Sequence, residues 1–194
     1  SLTFPLSTYQ MEGMAQSGVA ADRNVYRHGG VVRGDVSKKN ICLVFTGHNV
    51  AEGGEKILNT LKKNQVKGAF FITGEFANLF PDLLKRMKGE GHYVGSHSYG
   101  HLLYAAWENP DSLLVTKQEF VDDIKRSFES LAQHGIAKSD APYFIPPFEW
   151  YNSTVASWAK ELGLQVVNFT PGTGSSNDYT TPSMGAKYCS SKKL

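Results

Sequence analysis

The chain has 194 residues, 41% of them hydrophobic and 20% charged, with a formal net charge of +2. That length suits one domain with a substantial core, and the composition is ordinary for a soluble globular chain. That charge argues neither for nor against a polyanionic partner, but no basic tract resembles a nucleic-acid arm, and no apolar run is long enough to span a bilayer.

Residues 1–35 read as an N-terminal arm and hairpin, and residues 36–194 as the main domain. Ser1 to about Asn24 shows no sustained period. Tyr26 to Asp35 carries Gly29-Gly30 between β-type residues, which predicts a hairpin. Ile41 to Phe45 is a continuous apolar run, as expected for a strand buried on both faces, with Cys42 a small buried hydrophobe in it. Cys189 lies in a polar tail, and no disulfide is expected. Glu55 to Asn64 has Ile57, Leu58 and Leu61 at helical spacing. Gly68 to Gly74 reads as a second buried strand, Phe80 to Gly91 as a helix with Pro81 at its start, and His92 to Gly95 as a short third strand.

Thr116 to Gly135 is the clearest helix: Phe120, Ile124, Phe128 and Leu131 form a stripe, and Thr116 with Glu119 resembles a capping box. Ala141 to Phe144 leads into Ile145-Pro146-Pro147-Phe148, Asn152 or Ser153 caps another helix, and Leu164 to Phe169 is one more buried strand. Thr170 to Leu194 is polar and predicted to be loop. Strands and helices alternate, strand first, so the expected sheet is parallel with right-handed crossovers and ligands at its C-terminal edge. Thr46, His97 and Pro146 all begin segments at that edge.

Gly95-Ser96-His97-Ser98-Tyr99-Gly100-His101 places two histidines four residues apart, a spacing that lets two imidazoles converge on a divalent metal. Two histidines so spaced are also common as unrelated surface or capping residues. His92 and His134 read as structural, and His28 has no assigned partner.

Four segments in this order resemble the polysaccharide deacetylase family, the NodB-homology domain of carbohydrate esterase family 4. They are Ile41 to Phe45, Gly68 to Gly74, Gly91 to His101, and Phe144-Ile145-Pro146-Pro147-Phe148. The third is similar to the family's Gly-His-Glu-hydrophobic-Gly-Asn-His-Thr-x-x-His motif nearly throughout. The resemblance implies an α/β fold, a distorted (β/α) barrel whose last strands would lie beyond Leu194. It also implies removal of acetyl groups from an acetylated polysaccharide or oligosaccharide, with a divalent metal, Zn²⁺ first among the candidates, as cofactor. It maps metal ligands onto His97 and His101 and gives the backbone N–H of Phe148 a share in an oxyanion hole. It favours a secreted, periplasmic or cell-envelope location; the chain begins at Ser1 without Met, which is compatible with a removed export segment.

Three positions depart from the family pattern. The two motif aspartates, base and ligand, fall on Thr46 and Gly47, and the arginine that tethers the base falls on Ile145. Thr is a poor base near neutral pH and Gly has no side chain. The family's later acid histidine has no counterpart. His48, one position past the lost ligand, is expected as third ligand, since three histidines plus water make a competent zinc set. For the base, Glu52 and Glu149 are both open, with Asp178 weaker; Glu52 also sits where a carboxylate helps a helix start. Trp150 and Tyr151 suit either a sugar subsite or the core. Two functions follow: a metal-dependent deacetylase with a refilled site, or a non-catalytic carbohydrate-binding relative that keeps the fold.

Overall fold

A computed structural model describes residues 22–190 and 192–193. The expected irregular arm therefore falls, as far as residue 21, outside the described residues. Strands β1 (Val25–Arg27) and β2 (Gly30–Arg33) form the expected antiparallel hairpin. Its turn uses positive φ at His28 (49°) and Gly29 (82°), the backbone twist a two-residue hairpin prefers. The hairpin is joined to the main sheet: Val31 bridges Val167 in parallel, and the Tyr151 hydroxyl donates to the Arg27 carbonyl at 2.8 Å.

The main sheet has five parallel strands in chain order: β3 (Val44–Gly47), β4 (Ala69–Ile72), β5 (Tyr93–Ser96), β6 (Tyr143–Phe144) and β7 (Gln165–Val166). Helices α1 (Gly54–Lys63), α2 (Gly74–Leu79), α3 (Pro81–Gly89), α4 (Lys117–Gln133) and α5 (Ser153–Glu161) lie in the crossovers. Strand side chains alternate between faces. Phe70, Ile72, Val94, Phe144 and Val166 join the helices in the larger core, while Val31, Ala69, Phe71, Ile145 and Val167 form a smaller cluster. Helices outside and strand residues alone inside is the layering of a (β/α) barrel wall. Among the described residues this wall is an open arc.

Helix α4 carries the expected capping box between Thr116 and Glu119, and Phe120, Ile124, Phe128 and Leu131 are buried. Asn152 caps α5 through the Val155 N–H. One sequence expectation is corrected. The run Ile41 to Phe45 is not a strand buried on both faces. β3 starts at Val44 and has one strand neighbour, and Ile41 is 89% exposed. An edge strand covers only one flank of its backbone, so an apolar run alone does not distinguish it from a central strand. The helix expected from Phe80 to Gly91 is α3, and it follows a further helix, α2, capped by the Thr73 side chain, which accepts from the Phe76 N–H.

One row of paired residues, Gly47, Ile72, Ser96 and Phe144, crosses the sheet, and Phe144 pairs onward with Val166. The segments that leave this row are therefore brought together along one edge.

Candidate active site

His97 follows β5 directly and is almost fully buried. Its Nδ1 lies 2.7 Å from the Ile145 carbonyl oxygen. A carbonyl only accepts, so the ring proton sits on Nδ1 and the lone pair is left on Nε2. Burial pushes the His97 imidazole down to about 3, the Ile145 carbonyl opposing it, and His101 and His48 add to the fall. His101 is pushed down to about 4, again first by burial and then by His48. Both rings are neutral at neutral pH, the form a metal requires.

The two Nε2 atoms are 3.2 Å apart. Two imidazole nitrogens bound to one tetrahedral zinc at about 2.0–2.1 Å would be separated by about 3.3 Å. Bare lone pairs cannot face each other at this distance; a proton on His101 Nε2 or a shared cation must lie between them. The pair therefore fits two ligands of a divalent metal.

A dense local network holds the turn that presents them. Ser98 (φ 73°) and His101 (φ 55°) are left-handed, a costly conformation for residues with a Cβ. The His101 N–H donates to Ser98 Oγ at 3.0 Å, and the Ser98 N–H donates to Ser96 Oγ at 3.1 Å. The Tyr99 and Gly100 N–H groups each donate to the Asp123 carboxylate of α4 at 3.0 Å.

His48 reaches the same edge but does not share the metal point. Its ring stacks on His101 with centroids 4.3 Å apart and an interplanar angle of 13°. A metal lies in the plane of the imidazole that binds it, and two parallel planes share no such point. The His48 Nε2 instead lies 3.4 Å from a carboxylate oxygen of Glu75. Among the described residues, no group of three or more His, Cys, Asp or Glu side chains is arranged to hold a metal ion. The expected three-imidazole centre is not assembled, because stacking rather than strand position sets the ring's orientation.

On the far side, Pro146 and Pro147 are buried and Phe148 takes a φ of 61°. The exposed Phe148 ring stands against His101, centroids 4.4 Å apart. Among the described residues its N–H meets no acceptor.

The polysaccharide deacetylase family profile matches residues 33–167. The chain belongs to this family. Similar to it is peptidoglycan-N-acetylmuramic acid deacetylase PdaA of Bacillus subtilis, 35% identical over 136 residues that make up 69% of this chain and 48% of that protein. The structure of B. subtilis PdaA, a family 4 carbohydrate esterase, has a TM-score of 0.60 at 31% identity, covering 72% of this chain and 56% of that one. A family 4 pseudoenzyme from Bacillus anthracis, at 23% identity and a TM-score of 0.57 over 74% of this chain and 47% of that one, shares the fold. The chain spans about half the length of the curated relatives it matches.

Set in this deacetylase frame, the candidate bases part company. Glu52 is exposed in the turn before α1 and makes no hydrogen bond or ion pair among the described residues. Glu149 is half-buried; burial, helped by the negative charge of Asp178, raises its carboxyl to about 7. Asp178, not an imidazole, is the charged group acting on it. Tyr151 is core, whereas Trp150 is half-buried and anchored by its indole N–H to the Ala106 carbonyl at 3.3 Å. Trp107, 50% exposed, lies between Trp150 and Phe148, with centroids 5.3 and 5.7 Å away. His92 is structural: its Nδ1 accepts from the Gly68 N–H at 3.1 Å.

Sequence reading missed Glu75, Asp123 and Trp107. Asp123 had a signal, a charge three residues after Phe120 on the buried stripe of α4. Glu75 follows the tip of β4, the strand between β3 and β5. Nothing in the sequence marked Trp107.

Proposed function

We propose that this deacetylase-family domain removes acetyl groups from an N-acetylated cell-wall glycan at the His97–His101 edge. The observation that carries the reading is the pair of neutral imidazoles, buried His97 and half-buried His101, whose Nε2 atoms converge at 3.2 Å beside the Phe148 N–H, which meets no acceptor among the described residues. His97 and His101 would hold a divalent cation, most suitably Zn²⁺. Such an ion lowers the pKa of bound water towards about 7 and polarises a carbonyl. The Phe148 N–H would donate to the oxyanion as the carbonyl carbon becomes tetrahedral. Glu149, with a carboxyl raised to about 7, is the better candidate to take a proton near neutral pH. The aromatic run Phe148, Trp107 and Trp150 offers apolar faces beside the site, suited to the C–H face of a pyranose ring. The relatives named for peptidoglycan deacetylation support a cell-envelope substrate and, with it, an extracytoplasmic location.

A second reading rests on Thr46, Gly47 and Ile145, where the family's two carboxylates and arginine are gone: a glycan-binding relative without turnover. Acetate release from peptidoglycan fragments and N-acetylglucosamine oligomers, with Zn²⁺ supplied, decides between them. The deacetylase reading expects release by the wild type and none by His97→Ala. Glycan binding without release by the wild type would establish the second reading instead.

A further inference from the structure

We infer that Trp107 forms a second sugar subsite beside the His97–His101 edge: its indole takes the ring of a neighbouring residue of the glycan chain, so the domain selects oligomers over single sugars. The inference rests on the reading that a glycan binds at this edge, with or without turnover.

Asn109-Pro110-Asp111-Ser112 is a turn sequence, and the Ser112 N–H closes it on the Asn109 carbonyl at 2.9 Å. On either side of this turn the chain pairs with itself. Ala105 bridges Leu113 antiparallel, the Ala106 N–H donates to the Ser112 carbonyl, and the Leu114 N–H donates to the Tyr104 carbonyl, both at 2.9 Å. Residues 104–114 are thus a short arm that begins just after His101. The base of the arm is core: Tyr104 and Ala105 are fully buried, and the Tyr104 ring stands 5.0 Å from the Phe120 ring of α4. Its outer part is tied to the segment after Phe148. The buried Asn152 side chain donates to the Pro110 carbonyl at 2.8 Å, and the Trp150 indole N–H donates to the Ala106 carbonyl. Trp107 therefore stands on a backbone that is fixed on both sides of it.

The arm holds this indole half in water. Trp150 leans over it at an interplanar angle of 35° and Phe148 meets it at 80°, yet half of the residue faces solvent. A single exposed aromatic is ordinary on a protein surface. Trp107 is not single: the exposed Phe148 ring lies between it and His101, so aromatic rings run in contact from the imidazole pair to the arm. An aromatic ring held in place offers its apolar face at little cost in conformational entropy. The Trp107 indole N–H makes no hydrogen bond among the described residues, which leaves a donor at the ring's edge for a sugar hydroxyl. Trp107 stands one ring further out than Phe148. The pyranose it meets is therefore the neighbour of the one whose acetyl group reaches the Phe148 N–H. A role in packing alone would alter stability; it would leave the dependence of affinity on glycan length untouched.

The test is calorimetric titration of the whole chain with N-acetylglucosamine oligomers, from the monomer to the tetramer, comparing wild type, Trp107→Leu and Trp107→Phe. Circular dichroism confirms that each variant folds. We expect the wild type to bind the tetramer at least about 10-fold more tightly than the monomer, Trp107→Leu to lose most of that gain, and Trp107→Phe, which keeps a ring, to stay within about 3-fold of the wild type. Oxidation of the wild type by N-bromosuccinimide, located by peptide mass spectrometry, reads the same contact without a variant: the tetramer should protect Trp107 and the monomer should not. Wild-type tetramer affinity in Trp107→Leu, or Trp107 left unprotected by bound tetramer, would overturn the inference while the glycan reading stands. If the wild type binds no oligomer, that underlying reading fails and the inference falls with it.

Discussion

Asp123→Asn tests whether the histidine turn is held in place from outside. Asp123 sits on α4 and receives the Tyr99 and Gly100 N–H groups, one on each carboxylate oxygen at 3.0 Å. Asparagine keeps one oxygen and turns an NH₂ towards the other backbone donor. One charge-assisted hydrogen bond is lost, about 1.5–3 kcal/mol, and a donor is left facing a donor. The left-handed residues Ser98 and His101 resist relaxation partly through this clamp, so about 2–3 kcal/mol is a consistent total. In a domain of this size each kcal/mol moves Tm by about 2–4 °C, so a fall of about 4–12 °C is expected by differential scanning calorimetry. Asp122→Asn is the control: Asp122 is exposed and accepts only from its helix neighbour Gln118 at 2.8 Å, and such a change stays within about 0.5 kcal/mol. If Asp123→Asn melts within 2 °C of the wild type, roughly the effect of 1 kcal/mol or less, the clamp is not what holds the turn.

Three further outcomes are expected. In metal-free protein, His97 and His101 have folded pKa values near 3 and near 4, below the ordinary histidine value of 6.5. The unfolded chain thus binds more protons between those limits, and stability should fall as pH drops from about 6.5 to 4; urea midpoints measured across that range should show a flatter profile for His97→Gln. Glu149 has the opposite sign: its folded pKa near 7 exceeds the ordinary 4.5, so the wild type loses stability as pH rises through that interval. Glu149→Gln should therefore be more stable than the wild type at pH 8, with little advantage at pH 4, while acetate release falls by roughly 10²–10⁴-fold if Glu149 takes the proton. Gly47→Asp should destabilise by about 1–3 kcal/mol in chemical denaturation, because a Cβ there meets the buried Phe76 ring at 3.0 Å; Phe76→Leu in the same chain should recover part of the loss.

Helix α4 was legible because its stripe, cap and terminating glycine all agree. The parallel order of the strands was legible because the turn residues separate them cleanly. The histidine pair was legible through spacing and its place after a strand. His48 marks where that reading stopped. Sequence put it at the correct strand tip, but a ligand needs its ring plane aimed, and the plane is set by stacking on His101. Glu75, which meets the His48 ring, was invisible for the converse reason: no motif points to it, and only the order of β3 and β4 brings it there. β3 itself was misread because Ile41 and Leu43 carry the hydrophobicity of a buried strand on an exposed edge.

The three departures from the family pattern are not independent vacancies, because packing is tight at one and apolar at another. At Gly47 a Cβ would meet the Phe76 ring at 3.0 Å, so a side chain there needs that ring to yield by a few tenths of an ångström. At position 145 an isoleucine is 4% exposed within the smaller core cluster, beside Phe71 and Val167. An arginine there would bring a charge into apolar surroundings with no carboxylate to meet it, since Thr46 has replaced the base. Yet the Ile145 carbonyl still holds His97 in the tautomer that exposes Nε2, a backbone function that survives any side chain except one that moves the strand. Side chains at this edge thus depart from the family pattern while the main-chain contact that leaves the His97 Nε2 lone pair free is present. The pair carries a cost, since the His97 ring is buried and Ser98 and His101 are left-handed. The oriented His97 imidazole, not the side chains at positions 46, 47 and 145, is therefore what the deacetylase reading proposed above depends on.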